Sequence, residues 1–182
     1  MRPRISLPTS SGFTLVEVMV SLIVISVGLL GIASMQALAL SSSNNARLRS
    51  LAAIEASSLA ATMHTNRSYW SSSVPGLVTV IDGTITGGTL NVVLDPGRCE
   101  GGDSCTPEEL AAYDLQKWTA SLDSLLPHPS ATITCPILSV PMSCSIKITW
   151  TESVVAMTKQ EAQSAAATAG FKTPDYTLYV QP

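Results

Sequence analysis

The sequence predicts an α+β fold: a long amino-terminal helix, its first half crossing a membrane, packed on a small antiparallel β-sheet head. Three observations lead there. Val18 to Leu40 is a run of 23 residues without a charge, and about 20 apolar residues suffice to span a bilayer. No proline falls between Phe13 and Tyr69, so a helix can continue well past that span. From Arg67 onward the chain turns to short alternating apolar runs separated by Gly, Pro, Ser and Thr, the pattern of strands and turns.

Composition narrows the function. The chain has 182 residues, a length suited to one domain with an appendage. Ten basic and 13 acidic residues give a formal net charge of −3, and the pI is about 5.3, which disfavours a basic nucleic-acid-binding domain. Charged residues make up 13% and hydrophobic ones 46%, which excludes an intrinsically disordered chain. Aromatics at 5% argue against an aromatic-rich binding face.

Residues 1–12, MRPRISLPTSSG, are polar and basic, with Arg2 and Arg4 and no acid, and Pro3 and Pro8 disfavour a helix. Beyond them the sole charge of the apolar stretch is Glu17. A charged group at mid-bilayer costs about 2.5–3.5 kcal/mol on insertion scales and less near the headgroups. Glu17 therefore either faces the interface or has a function, the default for an intramembrane ionisable residue. A secretory signal peptide is the competitor. Here the apolar run is too long for its hydrophobic region, Glu17 interrupts the start, and the small residue Gly12 precedes the run. The order fits a leader removed on the cytoplasmic side, with the helix kept.

The segment Ser11-Gly12-Phe13-Thr14-Leu15-Val16-Glu17-Val18 resembles the cleavage motif of type IV prepilins and type II secretion pseudopilins. The resemblance implies a type IV pilin-like fold. It implies that a prepilin peptidase cuts between Gly12 and Phe13 and methylates the new Phe13 amine. A side chain at residue 12 would block the peptidase's approach to the bond. It also implies a role for Glu17, pairing with the Phe13 amine of a neighbouring subunit. An ion pair in a low dielectric offsets its desolvation only with good geometry, so the pair would select the register of assembly. Arg2 and Arg4 leave with the leader, and the formal charge of −3 becomes −5. Arg2 and Arg4 before the span and Arg47 and Arg49 after it nearly balance. Motif and cysteine usage place the amino terminus inside and the body outside.

One helix is expected from about residue 14 to about 64. Ser41 to Asn45 is a weak point where it could bend. Leu48, Ala52, Leu59 and Met63 then form one apolar face with Leu51 at its edge. The chain divides into a leader at 1–12, a membrane or filament-core half-helix at 13–40, an amphipathic half-helix at 41–66 and a periplasmic head at 67–182. A plain membrane anchor with a separate globular domain is the bland alternative.

In the head, Leu77 to Ile81 reads as a strand ending in an Asp82-Gly83 turn. Leu90 to Leu94 reads as another, ended by Asp95-Pro96-Gly97. Thr106, Pro107 and Glu109 mark a helix start with a capping box, and the helix stops before Pro127. Ala131 to Cys135, Ser143 to Trp150 and Tyr176 to Val180 alternate as strands, with Ile146, Ile148 and Trp150 on one face. Residues 158–169 suit a helix or a loop equally.

Four cysteines, Cys99, Cys105, Cys135 and Cys144, favour disulfides in an exported chain. Three connectivities are possible, and the local pairs Cys99–Cys105 and Cys135–Cys144 are the favoured ones. Zinc is disfavoured by the spacing and by the two histidines, His64 and His128. No metal or cofactor is expected. The acidic loop with Asp95, Glu100 and Asp103 lacks EF-hand spacing. No histidine has a motif-like nucleophile partner, and there is no nucleophile elbow or phosphate loop. The chain reads as no enzyme.

The cysteine pair leading into Cys105-Thr106-Pro107-Glu108-Glu109-Leu110-Ala111-Ala112-Tyr113-Asp114-Leu115, with Trp118 beyond, resembles the PilV family of type IV pilus minor pilins. That resemblance implies a minor pilin that helps initiate pilus assembly in a tip complex. Its implied partners are prepilin peptidase, other minor pilins, the major pilin, the inner-membrane assembly platform and the membrane, with no nucleic acid. Its implied location is the inner membrane, with a periplasmic head, and then the pilus at the cell surface. A type II secretion pseudopilin and a tip-located adhesion subunit are the alternatives.

Overall fold

The fold is known from a computed structural model, which describes residues 12–71, 76–88, 90, 99, 105–136, 142–153, 160, 163 and 170–182. Outside them lie leader residues 1–11, the expected strand beyond Leu90, the acidic residues Asp95, Glu100 and Asp103, and most of 158–169. The chain falls into two units divided between Leu40 and Ser41.

Helix α1 runs Leu15–Thr65. The low propensity of Ser41 to Asn45 does not interrupt it; propensity is a weak prior that packing overrides, and Ser41 and Asn45 are half-buried. In the unit that starts at Ser41, α1 buries Leu48, Ala52, Glu55, Ala56, Leu59 and Met63. These positions recur every three or four residues, the stripe of a helix with one face on a core. Asn66 ends the helix, and its Nδ2 donates to the Pro107 carbonyl at 2.7 Å, tying that end to the next long helix. A single turn, α2 (Arg67–Trp70), buries Tyr69 and Trp70 edge to face, 5.3 Å apart.

Strands β1 (Leu77–Ile81) and β2 (Thr84–Thr86) form a hairpin around Asp82-Gly83. Both turn residues have positive φ, 45° and 76°, as a two-residue type I′ turn requires. Gly87 follows with φ +87°, and a Cβ there would lie 2.4 Å from the Leu77 carbonyl oxygen. Helix α3 (Pro107–Leu125) carries the expected capping box: Thr106 Oγ1 accepts from Glu109 N, and Glu109 Oε2 accepts from Thr106 N.

Strands β3 (Ser130–Thr134), β4 (Cys144–Thr149) and β7 (Asp175–Val180) complete an antiparallel sheet of order β2-β1-β3-β4-β7. Two short strands, β5 (Glu152–Ser153) and β6 (Phe171–Lys172), pair separately. The inward positions of β1, β3 and β4 are Val78, Val80, Ala131, Ile133, Ile146 and Ile148. They share one core with the buried faces of α1 and α3. Trp118 donates its indole N–H to the Glu55 carbonyl at 2.9 Å, joining α3 to α1. This is the type IV pilin-like α+β fold: a long amino-terminal apolar helix followed by a small antiparallel sheet.

β2, β5 and β6 are two or three residues long, too short for alternation to announce them in the sequence. Leu90 is buried but belongs to no strand.

Candidate functional site

The amino-terminal site is built by the start of α1. Thr14 is the residue before the helix, and its Oγ1 accepts the backbone N–H of Glu17 at 3.3 Å. Thr14 thus acts as N-cap and Glu17 stands at the third helical position, the spacing of a capping box. This role is not among those expected from the motif, although Thr14-x-x-Glu17 carries the same signature as Thr106-x-x-Glu109. The Glu17 carboxylate is exposed and has no hydrogen-bond or ion-pair partner among the described residues.

Gly12 and Phe13 precede the helix, and both are exposed. A Cβ on Gly12 would meet nothing within 4 Å. Nothing in the described fold therefore requires glycine at that position.

Downstream, the apolar half of α1 faces outward on every side. Leu22, Ile23, Val24, Ile25 and Leu30 are each more than half exposed. It is the one helix among the described residues long and apolar enough to cross a membrane. Its hydroxyls are satisfied internally. Ser21, Ser26 and Ser34 donate to the carbonyls of Val18, Leu22 and Gly31 at 2.8, 2.6 and 2.8 Å. A polar group so paired can enter lipid without an unmet hydrogen bond.

The head is closed by covalent and ionic links. Cys99 is bonded to Cys105, and Cys135 to Cys144. The second pair bridges the end of β3 and the start of β4. A buried carboxylate sits nearby in the chain. Glu152, 1% exposed, receives the Trp150 indole N–H on Oε1 at 3.1 Å. Arg49 Nε of α1 lies 3.4 Å from that same oxygen, and Lys172 Nζ of β6 lies 3.1 Å from Oε2. Two cations thus compensate one desolvated anion. Strand parity could have revealed Glu152, since Ile146, Ile148, Trp150 and Glu152 alternate in step. Likewise Glu55 falls on the α1 apolar stripe, and its Oε1 accepts from Ser121 Oγ at 3.0 Å. His64 lies in the last turn of α1 and His128 in the bend between α3 and β3, and both are exposed.

An exposed apolar helix leading into a disulfide-bonded α+β head, with the motif at its start, fits a membrane-anchored protein with its head in the periplasm or outside the cell. Residues 8–33 match the prokaryotic N-terminal methylation motif. Motif and fold together support a type IV pilin-like protein, a pilin or pseudopilin processed by prepilin peptidase. No curated protein matches the chain, and no solved structure does.

Proposed function

We propose that the chain is a minor pilin that primes type IV pilus assembly, in a tip complex with other minor pilins, as in the PilV family. The observation that carries this reading is the Gly12-Phe13…Glu17 motif at the head of a helix whose apolar half is exposed all round. Cleavage after Gly12 frees a cationic amine on Phe13, which the peptidase then methylates. The Glu17 carboxylate, which has no partner among the described residues, then neutralises the Phe13 amine of the adjacent subunit. Only one axial stagger removes both charges from lipid, so the pair sets register. That no described residue lies within 4 Å of a Cβ at Gly12 favours a requirement imposed by the peptidase rather than by the fold.

The capping sequence that follows Cys105 supports the PilV-like reading over a general pilin. On this reading the chain works without a cofactor, catalyses nothing, and meets the major pilin and the assembly platform at the inner membrane before entering the pilus.

The test is the amount of surface pilin sheared from a deletion strain complemented with wild type or with Glu17→Ala. Pilin should fall on deletion and return only with wild type. Unchanged pilin on deletion refutes priming and favours a type II secretion pseudopilin.

A further inference from the structure

The first turns of α1 in the unit that starts at Ser41 carry Arg47 and Arg49, both exposed, on either side of the buried Leu48. Residues two apart on a helix do not face each other, so the two guanidinium groups stand on different flanks. Arg49 Nε lies 3.4 Å from one oxygen of Glu152, and Lys172 Nζ lies 3.1 Å from the other. One carboxylate thereby holds the Lys172 ammonium at the level of Arg49 along the helix.

Burial sorts these charges by sign. The Glu152 side chain is fully enclosed, whereas Arg49 and Lys172 stay exposed. Arg47 has no ion-pair partner among the described residues. The next acid in the chain after Lys172 is Asp175, which faces Lys147 at 3.8 Å. In a chain whose formal net charge is −3, this level of the head therefore presents cations to its surroundings.

What the three groups share is height, not a common pocket. Arg47 and Arg49 differ by about 3 Å of helical rise. A compact anion reaches one flank of the helix, whereas a charged plane crossed by the helix meets every flank at once. Such a plane lies on the path of this chain. The apolar run ends at Leu40, and Arg47 follows roughly 10 Å further along the same helix. A headgroup layer is about 5–8 Å deep, and the attraction of anionic lipid persists about 8 Å beyond it at physiological salt. Covalent connection keeps Arg47 and Arg49 within that range, and Glu152 keeps Lys172 with them. We propose that Arg47, Arg49 and Lys172 form a collar that binds the anionic phospholipid headgroups of the leaflet from which α1 emerges, holding the head on the membrane surface.

The test places a fluorescent amino acid at the exposed Thr173, beside Lys172, in the full-length chain, reconstituted into vesicles with a nitroxide quencher on the lipid headgroup. Phosphatidylcholine mixed with phosphatidylglycerol should quench at least twofold more than phosphatidylcholine alone, since each cation near an anionic surface shifts partition by roughly fivefold. The difference should vanish in molar salt, where screening shortens to about 3 Å. Arg47→Glu should abolish it and Arg47→Lys should preserve it, both with unchanged thermal unfolding, because Arg47 is exposed and pairs with no described residue. The same label at Tyr179, which shares a groove with His64 further along α1, should show no dependence on phosphatidylglycerol. Equal quenching in the two lipids overturns the proposal, as does a difference that survives Arg47→Glu or molar salt, or one that is as large at Tyr179. No readout involves pilus assembly, so the collar stands or falls apart from the priming function.

Discussion

At Asp114 burial and charge are opposed. The residue sits half-buried on α3, and loss of hydration raises its carboxyl above the ordinary value of 3.8. A carboxyl raised on folding holds its proton more tightly in the folded chain. The stability it contributes is full below the unfolded value and is lost as pH rises through the folded one. At neutral pH the charged form is therefore a liability. Asp114→Asn should stabilise the detergent-solubilised chain at pH 7 by up to about 1 kcal/mol, a bound set by partial solvent screening. The gain should vanish near pH 3. Urea unfolding at the two pH values reads this directly, and an equal effect at both would mean that packing, not charge, is responsible. Single residues were unevenly legible in the sequence. Thr106 and Glu109 declared themselves by spacing. The Asp114 environment did not, because half-burial on a helix flank depends on what packs beside it.

Between elements, Glu152 concentrates the ionic links of the head. It joins β5 to Arg49 on α1 and to Lys172 on β6, while Trp150 holds one oxygen in place. The two cations keep 59% and 47% of their side-chain exposure, whereas the carboxylate has none. The cluster is asymmetric in consequence. Taking away both cations strands a buried anion, which costs about 3–5 kcal/mol. Glu152→Gln leaves the cations free to turn to water and keeps an acceptor for Trp150. Arg49→Met with Lys172→Met should therefore destabilise the chain by at least twice as much as Glu152→Gln, measured by urea unfolding in detergent. Equal losses would show that the link acts through Glu152 packing alone. The elements were legible where periodicity is long: α1, α3, β1, β3, β4 and β7 all follow from runs of five residues or more. β5 and β6 set Glu152 opposite Lys172 across the chain, and no local pattern encodes that pairing.

For the whole molecule, the question is which features serve the fold and which serve processing. The head has its own core, two disulfides and an ionic cluster, all assembled from residues after Ser41. Among the described residues, those before Ser41 contribute none of these. A Cβ on Gly12 in particular meets none of the described residues within 4 Å, so a larger side chain there strains nothing in the described fold. The motif was legible in the sequence because it is contiguous and chemically odd, with a glycine, a phenylalanine and one acid at the door of an apolar run. The level shared by Arg49 and Lys172 was not legible, because the fold alone brings Lys172 to it. Gly12→Val separates the two kinds of feature. It should leave thermal unfolding and both disulfides unchanged, since neither reaches residue 12. It should also abolish removal of residues 1–12 and methylation of Phe13, so that the intact mass keeps the leader. If the variant is cleaved normally, glycine is not what the peptidase reads and the processing site lies elsewhere. If the variant unfolds instead, the amino terminus belongs to the fold after all, and the division between an export signal and a self-sufficient head is wrong.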